Sequence, residues 1–117
     1  MPLIKIQTAQ TLPQEAQQPL LEAASQIVAE ATGKPIDYVM AVLEPAAGVM
    51  MAGRAAPAAF VDVRGIGGVN AATNGAISKA VCDLLRDRAG ISPDRVYLTF
   101  TDIPAANWGT DGRTFGG

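Results

Sequence analysis

Residues 32–39 read TGKPIDYV and residues 89–96 read AGISPDRV, two stretches set 57 residues apart. Gly33 falls on Gly90, Asp37 on Asp94 and Val39 on Val96. A glycine at the end of an apolar helical pattern, with proline close behind (Pro35, Pro93), marks a left-handed helix cap and a stop. Each stretch therefore closes a helix and delivers the chain to a strand, YVMAVLE at 38–44 and RVYLTFTD at 95–102.

The same shift organises the rest of the chain. LIKIQ (3–7) lies over FVDVR (60–64), both with the apolar-polar alternation of a half-buried strand. Leu20, Ala24, Ile27 and Val28 fall on Ile77, Val81, Leu84 and Leu85, giving each segment one apolar helical stripe. Pro19 is comfortable only in a first turn, so the first helix is expected to start near Gln18.

The chain thus reads as β-α-β twice. The pseudo-repeats run over about 2–44 and 59–101, PAAGVMMAGRAAP (45–57) connects them, and residues 102–117 form a tail to a single domain of 1–117. Helical crossovers of this length join parallel strands, so the expected fold class is α/β (α+β): a four-stranded sheet with two helices on one face. YVMAVL is apolar on both sides and the strands offer few polar positions, so the open face is expected to meet another sheet in an oligomer.

Composition narrows the function. The 117 residues, 49% apolar, suffice for one core. Net charge is −2, and the nine Lys and Arg are scattered singly, which argues against nucleic-acid and membrane-surface partners. The N-terminus lacks a signal-peptide pattern and no run approaches a membrane span, so a cytoplasmic protein is expected. With no histidine, Ser-His-Asp and Cys-His catalysis are excluded. The single cysteine, Cys82, has no partner for a disulfide and sits on the apolar side of a helical pattern, where it is read as a small buried hydrophobe. Met50 and Met51 are read as packing, within the subunit or against a neighbour. Any proton-moving group must be Lys, Tyr, Asp, Glu or the N-terminus.

That last possibility turns on MPLIKI (1–6). Proline tolerates the first position of a strand, which would explain Pro2 by itself. Removal of Met1, expected for so small a penultimate residue, would instead make Pro2 a titratable secondary amine.

MPLIKI, ATGKPIDYV, GIGG, ISPDRVYLTFTD, AANWG and the closing TF together resemble the macrophage migration inhibitory factor family of the tautomerase superfamily, over essentially the whole chain. The resemblance implies a homotrimer of β-α-β-β-α-β subunits with active sites between neighbours. It implies that Pro2 is the catalytic proline and Lys34 the lysine that meets a substrate carboxylate. Ile66 matches the position whose backbone amide helps hold that anion, and Tyr97 matches a tyrosine supplied by the adjacent subunit. Tyr38 and Trp108 fall at the pocket mouth. Thr99 stands where relatives often have Asn, and Thr110 where several have Trp, so the substrate profile is open. AAFV (58–61) replaces the CxxC of some animal members, so thiol-oxidoreductase activity is not expected.

The implied reaction is keto–enol exchange of a small aromatic α-keto acid, which needs a base and a group to hold charge developing on oxygen. No metal and no cofactor is expected. A free α-amine is mostly protonated at neutral pH. Burial and a like charge lower its pKa: two cations about 6 Å apart at an effective dielectric of about 20 repel by roughly 2.8 kcal/mol. RGIGGVNAATNG (64–75) lacks the spacing, the lysine and the acidic partner of a nucleotide loop. A protein-binding trimer with vestigial activity is the competing reading, and a trimer whose pocket serves another acid or a decarboxylation is a third.

Overall fold

The computed structural model describes all 117 residues. Strand β1 (Leu3–Thr8) leads to helix α1 (Gln14–Thr32), a single 3-10 turn over Ile36–Tyr38 and strand β2 (Met40–Pro45). Strand β3 (Ala59–Gly65), helix α2 (Ala71–Ala89), a 3-10 turn over Pro93–Arg95 and strand β4 (Val96–Asp102) repeat that order. The helices and the 3-10 turns are offset by the 57 residues found in the sequence, and Gly33 (φ 70°) and Gly90 (φ 67°) both adopt the left-handed cap.

The sheet order is β2-β1-β3-β4, with β1–β2 and β3–β4 parallel and β1–β3 antiparallel. Lys5 pairs with Asp62, its own counterpart in the repeat, so a pseudo-two-fold axis crosses the sheet between them. Ile4, Ile6, Val61 and Val63 face the helices, where they pack with Leu20, Ala24 and Val28 of α1 and Ile77, Val81 and Leu85 of α2. These side chains are almost wholly buried, which makes this layer the dominant apolar contribution to stability.

Two expectations need correction. Helix α1 begins at Gln14, not near Gln18, and Pro19 lies inside it. The missing Pro19 N–H leaves the Glu15 carbonyl without its helical donor, but both residues are exposed and water can replace the bond. Meanwhile Leu12 packs on the core, Gln17 Nε2 donates to its carbonyl at 3.2 Å and Ala16 N–H donates to Pro13 at 2.9 Å, which anchors the earlier start.

The open face of the sheet is also more polar than expected. Alternation and register assign to it Met40, Val42, Leu3 and Phe60, but also Lys5, Gln7, Glu44, Asp62, Arg64, Tyr97, Thr99 and Thr101. Lys5 and Gln7 both reach Glu44, and Arg64 forks onto Asp62. The apolar run YVMAVL misled because only one strand of four carries it.

The segment expected from sequence to be a plain tail carries a hairpin. Strands β5 (Gly109–Thr110) and β6 (Arg113–Thr114) form a hairpin about Asp111 (φ 51°) and Gly112 (φ 77°). Asp-Gly in a two-residue loop is the standard cue for such a turn, and it was available at 111–112.

Candidate active site

Pro2 precedes β1 and continues its pairing, since its carbonyl accepts from Met40 N–H at 3.1 Å. A residue without an N–H fits there because the strand needs only its acceptor. The ring is buried and lies where two cavities meet. The wider, about 570 Å³, is lined by Pro2, Tyr38, Arg64, Ile103, Trp108 and Phe115 among others. The narrower, about 10 Å³, is bounded by Pro2, Lys34, Arg64, Gly65, Gly67 and Asn74 among others.

The α1 cap delivers Lys34 to this narrow space. Its Nζ donates to the carbonyls of Ile66 at 2.5 Å and Gly67 at 3.2 Å. Those carbonyls can turn toward Lys34 because Gly67 (φ 71°) and Gly68 (φ 73°) both take left-handed conformations that other residues rarely adopt. The turn is braced from behind: Asp102 accepts from Gly67 N–H at 2.9 Å and Gly65 O accepts from Ile103 N–H at 2.8 Å. An ammonium has three N–H groups, so one remains for an anion. Ile66 thus enters the site through its backbone, and in this structure through its carbonyl.

Electrostatics follow from that placement. The α-amine of Met1 is held below its ordinary value of 8.0, first by burial and second by the Lys34 cation. Both causes disfavour a second positive charge at this point of the fold.

Tyr97 and Thr99 are elsewhere. Leu3, Arg64 and Thr101 share one row of the sheet, and Tyr97 is four residues down β4 from Thr101. At the usual rise and strand spacing Tyr97 is about 16 Å from Leu3, beyond reach of Pro2 in the same chain. Tyr97 is 66% exposed and Met40 63%. Thr110 lines the wide cavity beside Trp108.

Some neighbours of Pro2 were not singled out from sequence. Arg64 faces both cavities, and Asp37, Asn107 and Phe115 line the wide one. Arg64 was hidden in FVDVR, where it read as the polar half of an alternation. Only the antiparallel register that sets it opposite Leu3 brings it to Pro2. Cys82 packs against the core and burial pushes its thiol pKa up, with Asp83 adding to the effect. Met50 is 70% exposed, so little of it is packed within the chain.

The sequence matches the family model described as Macrophage migration inhibitory factor (MIF) over residues 1–116. Macrophage migration inhibitory factor of Meriones unguiculatus is 41% identical over 96 residues, covering 82% of this chain and 84% of that protein. The crystal structure of the macrophage migration inhibitory factor homologue of Prochlorococcus marinus superposes with TM-score 0.91 at 36% identity, over 97% of this chain and 99% of that one. The structure of Pt0534 inactivated by 2-oxo-3-pentynoate gives TM-score 0.87 at 25% identity, over 97% and 96% of the two chains. No helix is long and apolar enough to cross a membrane.

Proposed function

Because the chain belongs to the macrophage migration inhibitory factor family, we propose that it is a cofactor-free keto–enol tautomerase of small aromatic α-keto acids of the phenylpyruvate type, with processed Pro2 as its base. The carrying observation is the position of Pro2: buried where two cavities meet, in a site whose burial and Lys34 cation both lower the pKa of an amine. Lowering the pKa enlarges the share of free amine at neutral pH, which can accept a carbon-bound proton, and its conjugate acid returns that proton to the other end of the enol system. The third N–H of Lys34 pairs with the substrate carboxylate, and the Ile66 amide assists. Tyr38 and Trp108 flank the aromatic ring in the wide cavity. Inactivation of Pt0534 by a small 2-oxo acid supports this substrate class.

Tyr97 and Thr99 act, in this reading, from the neighbouring subunit of a homotrimer. Their distance from Pro2 within one chain and the exposure of Tyr97 support that assignment. The Tyr97 hydroxyl then donates to the enolate oxygen or to the ring substituent, and Thr99 borders the same wall. The protein works in the cytoplasm, where an unpaired thiol such as Cys82 stays reduced.

A second reading, a trimer that presents its surface to a protein partner and keeps only vestigial activity, is favoured by the relatives' being macrophage migration inhibitory factors. The two separate in one experiment. Intact mass spectrometry should show loss of Met1, purified protein should interconvert phenylpyruvate tautomers in an ultraviolet assay, and Pro2→Gly should abolish turnover with the trimer retained by sedimentation. An inert, fully processed wild type favours the second reading.

A further inference from the structure

One charged side chain at the site has no part in the reaction proposed above. Arg64 stands opposite Leu3 in the sheet and is the only cationic side chain lining the wide cavity, while Lys34 lines the narrow one. Its guanidinium is held from one edge: Nε lies 3.2 Å from each Asp62 oxygen and Nη2 donates to Oδ2 at 2.8 Å. Asp62 is 8% exposed, so the carboxylate is a fixed base plate. Nη1 has no protein acceptor within hydrogen-bond distance, and the Arg64 side chain keeps 47% of its surface open.

An arginine clamped through Nε and Nη2 is a pre-oriented fork whose free edge suits a second planar anion. Asp37, the one acidic residue lining the same cavity, makes no hydrogen bond or ion pair to Arg64. The narrow cavity has room for little more than a water-sized group, so the body of a substrate whose carboxylate meets Lys34 must occupy the wide one. There it lies against Arg64.

We propose that Arg64 is a second anion-binding residue of this cleft, and that the preferred substrate is a small α-keto acid bearing two acidic groups. One is met by Lys34 in the narrow space and the other by the free Nη1 edge of Arg64 in the wide one. This inference rests on the tautomerase reading for its catalytic consequence but not for its binding consequence. A charge-assisted contact of this kind is worth about 10- to 100-fold in discrimination.

The test compares matched pairs of probes on processed protein. Phenylpyruvate and its 4-carboxy derivative differ only in the second acid, and oxaloacetate supplies a shorter diacid. Wild type should turn over at least one diacid with a kcat/KM about tenfold or more above phenylpyruvate. In Arg64→Gln the diacid-to-monoacid ratio should fall by a similar factor, with Arg64→Lys intermediate and the assembly unchanged by sedimentation. A wild type with no preference for either diacid, or a variant that loses both substrate classes equally, overturns the proposal. Calorimetric binding of cinnamate and 4-carboxycinnamate, neither of which can tautomerise, reads the same ratio as dissociation constants. If turnover is absent altogether while the carboxycinnamate preference persists and depends on Arg64, the tautomerase reading fails and the Arg64 assignment stands; equal binding of the two sinks the assignment alone.

Discussion

Arg95 is 7% exposed, and no carboxylate touches it. Its guanidinium donates instead to four backbone carbonyls of the link between the two repeats: Pro57 at 2.9 Å, Met51 at 3.2 Å, Arg54 at 3.0 Å and Ala56 at 3.1 Å. This link is irregular, with Ala52 (φ 56°) and Gly53 (φ 70°) in left-handed conformations and one isolated bridge between Met51 and Arg54. Arg95→Met keeps the stem and removes every donor. Bonds to a charged group are worth about 1.5–3 kcal/mol each, but the exposed Arg54 and Pro57 carbonyls can turn to water. The Met51 and Arg54 carbonyls also each keep the bond they accept from the other's N–H across their bridge, so half-buried Ala56 is the one left without a donor, and the expected loss is about 2 kcal/mol. For a chain of this size that corresponds to about 8 °C in Tm. The assay is urea unfolding and a thermal scan at one fixed protein concentration, with Arg95→Lys as the second variant. Lysine offers a point charge in place of a fork and should recover less than half of the loss. A Met variant within 1 kcal/mol of wild type, or a Lys variant that restores full stability, would refute the reasoning.

Lys34→Gln removes the second cause of the lowered amine pKa while burial remains. A base gains activity as pH rises through its folded-state pKa, so the rising limb of the kcat/KM profile should move alkaline and activity at pH 7 should drop; a limb that stays in place counts against Lys34. Gly116→Ala would put a Cβ 2.7 Å from Ala106 Cα and 2.8 Å from its nitrogen, forcing the end of the tail off the turn before Trp108. KM should rise several-fold with kcat little changed, and the emission of Trp108, the only tryptophan, should shift; an unmoved KM would detach the tail from the site. Pro19→Ala returns an N–H to the Glu15 carbonyl and should stabilise the protein by about 1 kcal/mol or more in urea unfolding, where a loss would show that the ring itself packs usefully.

The elements that sequence revealed best are those whose signal is local and doubled. Gly33 and Gly90 end their helices in the same left-handed step, and the stripes from Leu20 and Ile77 bury as their spacing demands. The start of α1 was misplaced because Pro19 has a strong intrinsic preference that solvent exposure overrides. The open sheet face was misjudged because its character depends on four strands in register, not on any one of them. Arg64 was overlooked for the same reason: its proximity to Pro2 is created by the pairing of β1 with β3, residues 61 apart in the chain. Lys34 was named through the family resemblance, since its place after a helix cap would by itself read as a solvated charge. The tail hairpin was legible at Asp111-Gly112 and was passed over because its strands are only two residues long.

The two halves that meet across Lys5 and Asp62 copy each other's backbone without copying each other's chemistry. Ala59 occupies the position that Pro2 holds in the first half, and Ile91, fully buried, occupies that of Lys34. An internal amide cannot become an amine, so the mirrored position has no route to a base and is filled by core packing. Only one half of each chain can therefore present a terminal amine, and the mirrored positions around Ala59 and Ile91 are constrained by volume alone.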